Sequence, residues 1–99
     1  MLLAVIRHDK PNSVALRRET RPRHLDYLEK VTHCIAYGGA LLDDMGQQIG
    51  SILIIDVPDR EAAEQFAAAD PFVEAGLFAA THILPFRQVF QDGTRLPGR

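Results

Sequence analysis

The sequence predicts an α+β domain of the ferredoxin-like kind, βαββαβ, with a four-stranded antiparallel sheet and two helices on one sheet face. Three observations predict it. The chain has 99 residues, 46% hydrophobic and 24% charged, which fits one globular domain. Short apolar runs alternate with segments of helical spacing in the order strand, helix, strand, strand, helix, strand. The strands are apolar on both faces: Ile52 and Ile54 oppose Leu53 and Ile55, and Phe78, Leu84 and Phe86 oppose Ile83 and Val89. Two helices cover one face only, so the other is expected to pack against a second copy of the chain, sheet to sheet.

Leu2–His8 is apolar and partly β-branched, and Asp9-Lys10-Pro11-Asn12 ends it as a strand. Within 13–36, Leu28, Val31 and Ile35 recur at helical spacing, and Pro22 suits the first turn of that helix, where its missing N–H costs nothing. The stretch 11–20 before it reads equally as a loop or as a lead-in helix. Gly38-Gly39 is expected to close the helical region and open a second strand over 39–43, with a turn at 44–48. Gly50–Val57 is the clearest strand. Asp59 caps a second helix whose apolar face is Ala62, Ala63, Phe66 and Ala67. Asp70-Pro71 breaks that helix, because the residue before a proline avoids the helical region, and one further helical turn ends at Gly76. Residues 78–90 read as one long last strand. The domain is thus expected over 1–90, with 91–99 a mobile tail.

The composition excludes several classes. Eleven basic against thirteen acidic residues give a net charge of −2, without the basic excess of a nucleic-acid binder. One cysteine, Cys34, excludes an internal disulfide and a multi-cysteine zinc site. The opening apolar run Met1–Ile6 is too short for a membrane span or a signal-peptide core. No membrane partner is expected, and the cytoplasm is the default location. His8, His33 and His82 show no His-x-x-x-His spacing, and no glycine-rich loop cradles a phosphate, so neither metal nor cofactor is expected.

His24 is the most informative residue. It shares the apolar helix face with Leu28, Val31 and Ile35, so an imidazole looks inward at the sheet from the first helical turn. A helix N-terminus there favours neutral imidazole, which can accept a proton. The plainer reading is a core histidine satisfied by one backbone carbonyl. Asp70 has two compatible readings: a routine N-cap before a proline, and a carboxylate that orients His24. Arg17, Arg18, Arg21 and Arg23 form either a solvated basic face or, through Arg17 and Arg21, a binding group for an anionic oxygen.

Arg21-Pro22-Arg23-His24-Leu25 together with Asp70-Pro71-Phe72 resembles the YciI-like (YCII-related domain) family. Arg17, Gly39, Gly50-Ser51, Ala62-Ala63, Phe66 and Gly76 match as well, and the similarity covers 1–90. The resemblance implies a ferredoxin-like fold forming a dimeric α+β barrel. It also implies a catalytic His–Asp dyad carried here by His24 and Asp70, with Arg17 and Arg21 lining the same pocket. The family includes a dehydrochlorinase of a chlorinated hydroxyquinone. Two departures concern the pocket wall: the segment from His24 to Gly39 is shorter than usual, and Gly38-Gly39-Ala40 stands where the family has Ala-Gly-Pro. The expected function is a small cofactor-independent enzyme in which His24, oriented by Asp70, performs acid/base chemistry (elimination, isomerisation or hydrolysis) on a small anionic or aromatic metabolite. The rivals are a non-catalytic metabolite-binding or regulatory dimer using the same pocket, and an accessory subunit with a vestigial site.

Overall fold

The apolar run at the start of the chain becomes the central strand of the sheet. In the computed structural model, which describes residues 1–98, β1 (Leu2–Asp9) is flanked on both sides. It pairs antiparallel with β3 (Gln48–Asp56), from Leu2 opposite Asp56 to His8 opposite Gly50. On its other side β4 (Phe78–Pro85) pairs antiparallel, from Leu3 opposite Pro85 to Asp9 opposite Phe78. β2 (Ile35–Leu42) adds to the outer side of β3, so the order is β2-β3-β1-β4. This is the predicted ferredoxin-like α+β sheet.

Side-chain alternation divides the sheet into two faces. Leu3, Val5 and Arg7 share one face with Ile55, Leu53 and Ser51, their partners on β3, and with Ile83 and Thr81 on β4. Helices α1 (Val14–Val31), α2 (Arg60–Ala68) and the short α3 (Pro71–Glu74) lie on that face. The core joins Leu3, Val5, Ile55 and Val57 to Ala63, Phe66 and Ala67 of α2, with Val31, Cys34 and Ile35 packed at its edge. Asp59 caps α2 by accepting from the Ala62 N–H at 2.8 Å, as its position before the helix predicts. Ala4, Ile6, His8, Ile52, Ile54, His82 and Leu84 form the other face, which carries no helix.

Three expectations are corrected. Helix α1 begins at Val14, so Pro22 lies inside it and residues 14–20 are helical rather than an undecided lead-in. β2 begins at Ile35, and Gly38-Gly39 lies within it rather than before it. A Cβ at Gly38 would collide with the Ile52 carbonyl and the Leu53 side chain, so glycine there serves close strand approach, not a turn. β4 stops at Pro85 instead of running on to Phe90. At the boundary between the expected domain and tail, β5 (Phe90–Gln91) and β6 (Thr94–Arg95) pair as a hairpin across Asp92-Gly93, both at positive φ, the backbone that an Asp-Gly turn supplies. Arg99 lies outside the described residues.

Candidate functional site

Three segments bring polar side chains together on the helix-covered face. The junction of α2 and α3 fixes Asp70. Its extended backbone makes it the N-cap of α3, Pro71 occupies the first helical position, and Oδ1 accepts from the Phe72 N–H at 2.9 Å. Helix α1 supplies His24, whose Nδ1 lies 3.0 Å from the same Oδ1. The imidazole stacks on Phe72, with ring centroids 4.2 Å apart and planes 25° apart. Strand β1 supplies Arg7, whose Nη1 donates to Oδ2 of Asp70 at 3.1 Å and whose Nη2 donates to the Ala67 carbonyl. Arg7 also lies over the Phe78 ring, 4.4 Å from its centroid. Asp70 is 5% exposed, so its charge is met by protein donors rather than by water.

These groups border a cavity of about 250 Å³. Val5, Leu28, Leu53 and Phe66 form its apolar wall; Arg7, His24, Asp70, Gln48 and Ser51 supply the polar groups. Gly38 and Gly39 complete the lining, at the departures noted in the sequence. A cavity of about 150 Å³ lined by apolar side chains already accepts benzene, so this space admits one substituted ring.

Burial shapes the ionisation around the site. It lowers the pKa of the Arg7 guanidinium, while the neighbouring Asp70 opposes the shift by favouring the charged form. Tyr27 donates to the Phe66 carbonyl at 2.7 Å, and its phenol pKa is pushed up by burial first and by the negative charge of Asp70 second. An ionised carboxylate only accepts hydrogen bonds. If Asp70 is ionised, Nδ1 of His24 can only donate to it, and in a neutral ring Nε2 is then the acceptor nitrogen.

The structure brings His24 and Asp70 together but does not bring Arg17 or Arg21 to them. The Arg17 guanidinium grips Asp9 instead, Nε to Oδ2 at 2.6 Å and Nη2 to Oδ1 at 2.8 Å, and it lies over the opposite side of the aromatic cluster, 4.7 Å from the Phe72 centroid. Arg21 is exposed on α1. Neither is among the residues that line this cavity in the single chain. The helix N-terminus does not act on His24 either. With α1 starting at Val14, His24 is two to three turns inside, beyond the reach of terminal partial charges. Sequence reasoning missed Arg7. Its signal was alternation: in β1, Arg7 shares the inward parity of Leu3 and Val5, and a strand arginine pointing into a core needs a buried counter-charge.

Comparison with known proteins gives the family and the fold. The model of the YCII-related domain matches residues 1–87. An uncharacterised protein of Haemophilus influenzae is 31% identical over 98 residues, covering 91% of this chain and all of its own. The protein YciI of Escherichia coli is 29% identical over 109 residues, with 91% of this chain and all of that protein covered. Among solved structures, the 5-chloro-2-hydroxyhydroquinone dehydrochlorinase TftG of Burkholderia phenoliruptrix, in complex with 2,5-dihydroxybenzoquinone, superposes with a TM-score of 0.81 at 35% identity, over 88% of this chain and 94% of that one. An antibiotic biosynthesis monooxygenase shares the fold alone, at a TM-score of 0.50 and 15% identity over 89% of this chain and all of its own.

Proposed function

The chain belongs to the YCII-related domain family, and from that premise we propose that it is a cofactor-independent enzyme in which His24, oriented by Asp70, moves protons on a small hydroxylated aromatic ring. The observation that carries this reading is the 3.0 Å contact between Nδ1 of His24 and Oδ1 of Asp70 beside a ring-sized cavity. Within the cavity lining the charges of Arg7 and Asp70 cancel, so a neutral hydroxyl-bearing ring is favoured over an anion.

TftG is a dehydrochlorinase, and the same chemistry is within reach of one base here. For a chlorinated hydroxyhydroquinone, loss of HCl balances as follows. A ring hydroxyl proton passes to Nε2 of His24, and the chlorine-bearing carbon receives a proton in return. Chloride leaves with the C–Cl electron pair, a second hydroxyl proton is released, and the ring departs as the hydroxybenzoquinone. No external oxidant enters, because the ring is oxidised as the carbon–chlorine bond is reduced to carbon–hydrogen. The imidazole only takes a proton and returns it, and Asp70 stabilises the imidazolium between those steps.

The test is chloride release from 5-chloro-2-hydroxyhydroquinone by the parent chain and by His24→Ala. The expected loss in the variant is about 10²–10⁴-fold, the usual contribution of a positioned base, with the circular dichroism of the fold unchanged. Turnover at the parental rate in His24→Ala defeats the proposal. Binding of 2,5-dihydroxybenzoquinone by the parent with no chloride release places the chain with metabolite-binding proteins instead.

We also propose that the uncovered sheet face closes a homodimer. Ile52 is 36% and Leu84 54% exposed there, beside Ile6 and Tyr37, and a solvated sheet face ordinarily alternates with polar residues. Sedimentation is expected to give twice the 11.0 kDa chain mass, and Ile52→Glu is expected to give monomer. A parent that sediments as a monomer at working concentration removes this part of the proposal.

A further inference from the structure

Arg7 is a buried cation that the acid/base reading leaves without a task. Its side chain is 5% exposed, one amino group reaches Oδ2 of Asp70, and the other reaches the Ala67 carbonyl. Among the described residues its Nε is buried without a partner. A desolvated guanidinium with an unsatisfied N–H is costly to keep unless something fixes it there. Here that something is the carboxylate oxygen His24 does not use. Asp70 divides its oxygens: Oδ1 serves the Phe72 N–H and His24, and Oδ2 serves Arg7.

We propose that Arg7 is a positioning residue for His24, acting through Asp70: it holds Oδ2, so that Oδ1 alone faces Nδ1, and it balances the carboxylate charge, so that His24 rests as the neutral Nδ1–H tautomer with Nε2 free. The proposal rests on His24 being the working base but is tested apart from turnover. Without Arg7, a buried carboxylate takes its counter-charge from the nearest ionisable neighbour, and His24 at 3.0 Å becomes a standing imidazolium. A base already protonated cannot accept a proton. The other groups around this pair do not supply that counter-charge. Tyr27, on the same helix as His24, is a neutral donor held by the Phe66 carbonyl. Arg17, across Phe72, is bound through two nitrogens to Asp9. Gln48 and Ser51 on β3 are uncharged.

The experiment is nitrogen NMR of the full chain with ring-labelled histidine, in the parent, Arg7→Met and Arg7→Lys. In the parent, His24 is expected to show the Nδ1–H neutral tautomer above neutral pH; an Nε2–H tautomer, or an imidazolium persisting there, overturns the proposal without any variant. In Arg7→Met the imidazolium signature of His24 is expected to persist to higher pH than in the parent, by about one pH unit or more. Arg7→Lys, which keeps the charge, is expected to return the parental course. Unchanged His24 signals in folded Arg7→Met leave Arg7 a structural residue and overturn the proposal. If Arg7→Met does not fold, the parental tautomer and Arg7→Lys decide it. A parent that fails to release chloride defeats the functional reading, whereas these ring spectra judge Arg7 independently.

Discussion

Two arginine–aspartate pairs sit on the helix-covered face, and they differ in one respect. Arg17–Asp9 and Arg7–Asp70 are equally buried, with side-chain exposures of 7% and 5% in the first and 5% and 6% in the second. Each arginine lies over an aromatic ring, Arg17 over Phe72 and Arg7 over Phe78, and those two rings meet edge to face. Burial therefore does not distinguish them. Valence does. Asp9 gives both oxygens to one guanidinium, a closed bidentate pair with no acceptor left facing outward. Asp70 gives one oxygen to Arg7 and shares the other between a backbone N–H and an imidazole that borders a cavity. The closed pair ties β1 to α1; the open pair can respond when His24 changes charge.

The largest expected effect separates the pairs by activity. Asp70→Asn keeps an oxygen for the Phe72 N–H but removes the charge that stabilises an imidazolium. Chloride release from 5-chloro-2-hydroxyhydroquinone is expected to fall about 10²–10⁴-fold. Arg17→Met is expected to leave the rate per folded molecule unchanged. An equal loss of turnover in folded Arg17→Met would erase the distinction.

Next in size is stability. Removing one partner of a buried pair leaves an uncompensated charge, a loss of about 3–5 kcal/mol. Domains of this kind hold about 5–15 kcal/mol in total, so Arg17→Met should show a clearly lower urea midpoint. The double change Arg17→Met with Asp9→Asn removes both charges and is expected to recover part of that loss. No recovery would mean that the guanidinium matters for its packing on Phe72 rather than for its charge.

The same contrast explains what the sequence disclosed. β1, β3 and α2 announce themselves because their inward residues are apolar: Leu3 and Val5, Leu53 and Ile55, Ala63 and Phe66. Helix α1 does not, because the inward side of its first half is polar. Arg17 and Thr20 are its buried residues, with His24 on the cavity one turn further on. These recur at spacings of three and four like any buried face, but a hydrophobic pattern is blind to them. The start of α1 is thus hidden from the sequence pattern, and Pro22, which lies inside the helix, reads as its beginning. Asp70 was legible because Asp-Pro is a local cap signal that needs no tertiary knowledge. The partners of the two arginines were not legible, since Arg7 finds Asp70 and Arg17 finds Asp9 only through the pairing of strands with helices.

The smallest expected effect uses Tyr27 as a gauge of the open pair. Its hydroxyl donates to the Phe66 carbonyl, so Tyr27→Phe should cost about 0.5–1.5 kcal/mol at neutral pH. Burial and the Asp70 charge raise its pKa above the ordinary tyrosine value, whereas Arg7 lowers it. The fold thus favours the neutral phenol. The stability it contributes is complete below the unfolded tyrosine pKa, near pH 10, and is lost as pH rises through the raised value. Tyr27→Phe should remove that alkaline decline. In a Tyr37→Phe background, the ultraviolet tyrosinate transition reports Tyr27 alone, because the chain has two tyrosines. Asp70→Asn deletes one of the raising influences while the Arg7 charge remains, so the transition should move to lower pH. Asp9→Asn, which alters the closed pair, should leave it in place. A transition that moves with Asp9 and not with Asp70 would reverse the assignment of which pair communicates with its surroundings.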